Sequence, residues 1–227
     1  MTASEAQTYN VAALWPKIEG IVVVPPMTNK QKSTDEIELC KGDALLISDI
    51  QNDFLPGGNL AVPDGDQIIP VLNGYIDQFN NRQLPVFAVR DWHPPNHCSF
   101  IQQSGPWPEH CIVDSKGAEF ASDLHLPAST YIISKGTNVE QDSYSGFSNP
   151  IFKEKLNNEG VRRLFIGGLA TDYCVLNTVR DALNNHYHVL LLTDAIRAIN
   201  VQQQDGENAI NEMIQKGAVP ITLTMIR

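Results

Sequence analysis

RLFIGGLATDYCV, residues 163–175, runs from a short apolar stretch through a glycine pair to a cysteine at the head of a helical pattern. The apolar run 163–167, closed by Gly168, reads as a buried strand, and a helix is expected from about Tyr173 to Asn185. Working outward, the same strand-then-helix rhythm recurs. Upstream, 44–47 is a strand ending at Ser48-Asp49. Ile68, Ile69, Leu72, Ile76 and Phe79 then recur at helical spacing and predict a helix over 66–82. Residues 85–89 form the next strand, ending at Arg90-Asp91, and 131–133 a third, ending at Ser134-Lys135. A short helix is expected at 149–158. Downstream come a strand at 189–192, a helix at 207–216 and a last strand at 220–223. Apolar strands alternating with helices predict an α/β domain with a parallel sheet covered on both faces. In such sheets ligands bind beyond the carboxyl ends of the strands. Four of those ends deliver reactive side chains: Asp49, Asp91, Lys135 and Cys174.

With 227 residues, 42% of them apolar, the chain has material for one sizeable core. The formal net charge of −10 makes it a poor partner for a phosphate backbone or an anionic membrane surface, so neither nucleic acid nor membrane is expected. No apolar run is long enough to span a bilayer, and Met1-Thr2-Ala3-Ser4-Glu5 does not begin a secretory signal. Cys40, Cys98, Cys111 and Cys174 lie far apart without a CxxC pair, which favours free thiols and a cytoplasmic setting. Residues 1–40 read as an N-terminal extension, with one docked strand at 21–24, ahead of a main domain spanning 41–227.

Cys174 stands between a strand and a helix. A thiol there meets the positive end of the helix dipole and unpaired backbone N–H groups, both of which favour thiolate and could hold an oxyanion. Asp49 can accept the thiol proton and return it to a departing amine. Lys135 could keep Asp49 ionised and stabilise a thiolate. Together they form a Cys-Asp-Lys set that follows Cys-His logic with a carboxylate as base. A second cluster is Asp91-Trp92-His93, followed by His97 and His110. Six His in the chain predict about half of one in an 18-residue window, yet 93–110 holds three. Two His and one carboxylate make a catalytic type of divalent metal site, and Asp91 and His93, being alternate residues, can reach one centre from an extended segment. Phe54, Trp92, Trp107 and Tyr144 are aromatics suited to walling a flat ligand.

DIQNDFLPGG (49–58), RDWHPPNHCSF (90–100), WPEHC (107–111), SKG (134–136), DSYSGF (142–147) and GLATDYCV (168–175) together resemble the nicotinamidases (pyrazinamidases) of the isochorismatase-like hydrolase family. The resemblance runs from about residue 43 to the end. It implies a single three-layer α/β/α domain with a six-stranded, mostly parallel sheet. The implied activity is hydrolysis of nicotinamide, and of pyrazinamide, to the acid and ammonia, in NAD salvage. Cys174 would be the nucleophile, Asp49 the base and later acid, and Lys135 the third catalytic residue. Asp91, His93 and His110 would hold one divalent metal bound to the pyridine nitrogen, Zn²⁺ foremost with Fe²⁺ or Mn²⁺ as alternatives. His97 falls where some members supply a further ligand. The bond before Ala170 would be cis, with the amides of Ala170 and Cys174 forming the oxyanion hole. Phe54 and Trp107 would line the pyridine pocket and Tyr144 a nearby wall. A homo-oligomer is an open expectation. Two rival readings stay open beside this one: a hydrolase of the same fold acting on another small amide, and a non-catalytic nicotinamide- or metal-binding protein.

Overall fold

Every residue of β1, Asp43–Ser48, is buried, as a strand covered on both faces requires. Its side chains alternate between two cores. Leu45 and Ile47 join Leu72, Ile76 and Phe79 of α1 (Ile69–Asn81) on one face. Ala44 and Leu46 face the other way, onto Phe152 and Leu156 of α2 (Pro150–Asn158), Val179 and Ala182 of α3 (Leu176–Asn184), and Ala209 and Met213 of α4 (Asp205–Gln215). The computed structural model describes residues 36–227. The strand expected at 21–24 lies outside the described residues.

The remaining strands are β2 (Val86–Asp91), β3 (Tyr131–Lys135), β4 (Arg163–Leu169), β5 (His188–Arg197) and β6 (Val219–Ile221). They form one six-stranded sheet in the order β3-β2-β1-β4-β5-β6. All five pairings are parallel, so the expected mostly parallel sheet is wholly so. From β1 the chain builds outward through β2 and β3, then returns to lay β4 on the opposite side of β1. The crevice beyond the carboxyl ends of β1 and β4 is therefore the topological switch point, where doubly wound sheets bind ligands. Asp49 follows β1 and Cys174 follows β4, so topology alone brings them together. Among the described residues no helix is long and apolar enough to cross a membrane.

Three local expectations are revised. Gly168 does not close its strand: β4 runs on to Leu169. Gly168 has φ +121°, and an added Cβ would lie 2.1 Å from the Ser48 carbonyl oxygen, so the glycine lets β4 approach β1 closely at the site. Strand β5 reaches Arg197 instead of ending at 192. Its polar continuation is secured by side chains: Thr193 Oγ1 donates to the Ile221 carbonyl, while Asp194 accepts from Tyr75 Oη and the Leu223 amide. Finally, Thr171–Val175 forms a π-type turn before α3 begins at Leu176, so Cys174 sits inside a wide turn and not at the first residue of an α-helix. Residues 36–39 pack on the C-terminus: the Ile37 amide donates to the Met225 carbonyl, and Arg227 pairs with Glu36.

Candidate active site

Asp49 is the first residue past β1 and turns sharply, with φ +55°. Its amide donates to the Val89 carbonyl at 3.0 Å, and its side chain is wholly buried. One carboxylate oxygen, Oδ2, accepts from Ser48 Oγ at 2.9 Å and lies 3.2 Å from Lys135 Nζ. The other, Oδ1, is buried without a partner among the described residues. Parallel pairing of β2 with β3 sets Asp91 beside Lys135. The Lys135 ammonium, also wholly buried, reaches Asp91 Oδ1 at 2.5 Å and Cys174 Sγ at 3.4 Å. One lysine thus joins the thiol, the expected base and the expected metal carboxylate. Candidate ligand atoms of Asp49, Asp91 and Cys174 all lie within 4.8 Å of one another, and the ammonium already supplies that cluster with its cation.

Burial sets the proton distribution. It pushes the Asp49 carboxyl up to about 6, against the opposing pull of Lys135. It also pushes the Cys174 thiol well above its usual value, although Lys135 pulls the other way. The expectation that the helix start favours thiolate is therefore revised: at rest Cys174 is a neutral thiol beside a carboxylate able to take its proton. Lys135 is pressed downward by burial, but Asp49, Asp91 and Cys174 together hold it well above the usual ammonium range. Burial likewise opposes ionisation of Asp91, yet Lys135 and His93 keep that carboxyl below the usual range.

His93 lies two residues beyond Asp91. Its Nδ1 is 2.9 Å from the Gly136 carbonyl, and that of His110 is 2.8 Å from the Pro108 carbonyl. These contacts place a proton on Nδ1 and leave both Nε2 atoms toward Asp91, at 3.6 Å and 4.0 Å. Gly136, with φ +64°, is required here, since an added Cβ would lie 2.3 Å from the His93 ring. Ligand atoms of Asp91, His93 and His110 fall within 4.8 Å of one another. The His97 ring lies tilted against that of His93, centroids 4.2 Å apart; its Nδ1 meets Ser99 Oγ at 2.7 Å, and its buried Nε2 has no partner among the described residues. The Asp91 carboxylate and the two oriented imidazoles fit a divalent metal with open positions, and His97, with a free Nε2, stands beside them outside that cluster. Burial lowers the basicity of His97 and His110, which suits ligation by the neutral ring.

Phe54 packs on the His110 ring at 5.6 Å. Trp107 Nε1 donates to Tyr144 Oη at 3.0 Å. Tyr173 completes that wall, edge-on to Trp107 at 5.0 Å and tilted against Tyr144 at 5.6 Å. Tyr173 is not among the aromatics expected from the sequence to wall the ligand, and its place beside the nucleophile is the signal that marks it. Trp92 lies outside this wall, stacked under Arg90 at 3.6 Å. The peptide bond between Leu169 and Ala170 is cis, as the resemblance implied.

An isochorismatase domain model matches residues 43–225. The chain is 41% identical to the nicotinamidase of Escherichia coli over 201 residues, which is 79% of this chain and 94% of the relative. Its fold superposes on the pyrazinamidase of Pyrococcus horikoshii in complex with zinc, with TM-score 0.76 and 44% identity over 80% of this chain and 99% of that one. PnC1 from L. infantum in complex with nicotinate matches with TM-score 0.79 and 34% identity, covering 85% of this chain and 98% of the other. With a switch-point crevice holding a thiol, a carboxylate and a lysine, and a family match spanning the whole sheet, the chain belongs to the isochorismatase family.

Proposed function

We propose that this chain is a nicotinamidase, hydrolysing nicotinamide to nicotinate and ammonia through a thioester on Cys174, and acting on pyrazinamide in the same way. The observation that carries the reading is the position of Lys135 Nζ, in reach of Cys174 and Asp49 on one side and of Asp91 on the other. It makes the thiol centre and the His-carboxylate cluster parts of one site. A pyridine carboxamide has two ends to match: an amide to cleave and a ring nitrogen to anchor.

In the first half of the reaction Asp49 takes the Sγ proton and Sγ attacks the carboxamide carbon. The amides of Ala170 and Cys174 receive the oxyanion. The C–N bond breaks, Asp49 passes its proton to the nitrogen, and ammonia leaves. In the second half Asp49 takes a proton from water, whose oxygen attacks the thioester carbon. The C–S bond breaks, the acid departs, and the proton returns to Sγ. Lys135 offsets the negative charge that moves between Asp49 and Sγ. Asp91, His93 and His110, with His97 at hand, would hold a divalent metal, Zn²⁺ in our reading with Fe²⁺ or Mn²⁺ as alternatives, which would supply a Lewis-acid anchor for the pyridine nitrogen. Phe54, Trp107 and Tyr144 wall the ring. We assign this activity to NAD salvage in the cytoplasm, a reducing compartment in which the four free cysteines of the described residues would stay reduced.

Ammonia release from nicotinamide and from benzamide, measured on purified protein supplied with Zn²⁺, tests the reading. Benzamide keeps the ring and amide but lacks the nitrogen. Turnover of nicotinamide with kcat/KM at least about a hundredfold above that for benzamide is expected, a difference of ~2.7 kcal/mol. Equal turnover of the two would remove the anchor, and no release from either would remove the activity.

A further inference from the structure

Two buried side chains of the segment after β1, Gln51 and Asp53, have no part in the mechanism above. Gln51 is wholly buried and faces the main chain of Asp91. Its Oε1 accepts from the Asp91 amide at 2.8 Å, and its Nε2 donates to the Asp91 carbonyl at 2.8 Å and to the Ala118 carbonyl at 2.9 Å. The side chain thus pairs with both backbone groups of Asp91, as a neighbouring strand would beyond the point where β1 stops. Asp53, also buried, accepts from the Cys111 amide at 2.7 Å through Oδ2 and from the Asn59 amide at 3.3 Å through Oδ1. Cys111 follows His110 in the chain, and its carbonyl accepts from the His93 amide at 2.9 Å. Asp53 therefore grips the backbone of one residue, Cys111, whose N–H adjoins His110 and whose carbonyl is bonded to His93. The intervening Asn52 points outward, its Nδ2 donating to the Lys116 carbonyl at 2.7 Å.

We infer that Gln51 and Asp53 are positioning residues that fix the backbones of Asp91, His93 and His110 relative to Asp49, so that one five-residue segment sets both the base and the metal geometry. This rests on the reading of those three residues as a metal centre. Neither side chain would touch the ion or the substrate. Their effect is to hold three ligand-bearing backbones in place before the ion arrives, and loss of such outer contacts typically weakens metal affinity by about 10–100-fold.

The test is Zn²⁺ affinity by competition with a chromogenic chelator, in wild type and in Gln51→Met, Asp53→Ala, Asp53→Asn and Asn52→Ala. Folding is checked by circular dichroism, and affinities are read well below each variant's melting temperature. Gln51→Met keeps volume and removes all three bonds; Asp53→Ala removes the grip on Cys111. Each should bind Zn²⁺ at least about tenfold more weakly. Asp53→Asn retains an oxygen for the Cys111 amide and should recover most of the loss, and Asn52→Ala should match wild type. A merely structural role predicts lower melting temperatures with Zn²⁺ affinity unchanged in the folded variants, and that result would overturn the inference. Should one variant fail to fold, the other decides. Wild-type protein that binds no Zn²⁺ would overturn the metal reading itself, whereas tight binding equal in wild type and variants would overturn only the positioning role.

Discussion

Replacing Lys135 with Met keeps most of the buried stem and removes the charge at the junction of the site. Its Nζ lies 3.2 Å from Asp49 Oδ2, where attraction at an effective dielectric of 20 is of order 5 kcal/mol before desolvation and competition from Asp91 are counted. Even a third of that, about 1.7 kcal/mol, moves the Asp49 carboxyl up by more than a full unit. The sign is fixed. Asp49 is already raised to about 6 by burial, with Lys135 restraining the rise, so losing the lysine sends it higher. At neutral pH less carboxylate remains to take the thiol proton, and the charge moving onto sulfur loses its partner. We expect kcat/KM at pH 7 to fall at least about a hundredfold, ~2.7 kcal/mol, and the acid limb of the profile to move to higher pH by a unit or more. Zn²⁺ content under saturating metal should stay the same, because the lysine competes for Asp91 Oδ1 and does not support a ligand. The assay is ammonia release across pH 5–9 with metal analysis on the same preparations. Near-normal turnover with an unshifted acid limb would refute the assignment and leave a Cys-Asp pair to carry the chemistry.

Cys174→Ala should abolish turnover, with kcat below about a thousandth of wild type, while circular dichroism and bound Zn²⁺ stay as they were, since Ala adds no strain in the Thr171–Val175 turn. In wild type, kcat/KM should fall tenfold per unit below about pH 6 as Asp49 takes a proton and ceases to act as base. Ser48→Ala removes the hydroxyl donated to Asp49 Oδ2, so its acid limb should move upward too, by less than in Lys135→Met; an unmoved or lowered limb would show that Asp49 does not set it. Deleting residues 1–20 should leave kcat/KM within about threefold, under ~0.7 kcal/mol, whereas a large loss at unchanged melting temperature would show that the extension reaches the active site.

The polar residues at the strand ends were legible because strand, breaker and reactive side chain are local patterns. Asp49, Asp91, Lys135 and Cys174 each follow an apolar run, and a parallel sheet must gather such ends at one edge. The histidine cluster was legible by density, and the placement of His110 beside Asp91 follows from a loop that returns to pair with His93. What the sequence withheld is non-local. The contact of Lys135 with Asp91 depends on β2–β3 register, which no local spacing encodes. Gly168 reads as a breaker because glycine usually is one; only the proximity of Ser48 shows that it is there to let two strands meet. The neutral state of Cys174 was hidden for a similar reason: helix position favours thiolate, but the depth of burial that reverses it belongs to the packed fold. Gln51 and Asp53 carry a local signal as well, two polar residues at alternate positions entering the core after a strand end.

A covalent intermediate on Cys174 can be trapped by acid quenching during nicotinamide turnover, followed by mass spectrometry of the peptide containing Cys174. A nicotinoyl thioester is expected on that peptide alone, absent from Cys174→Ala, with diversion of product to the hydroxamate when hydroxylamine is added. Full turnover with Cys174 unmodified, and with nicotinate as the sole product in hydroxylamine, would contradict a covalent intermediate.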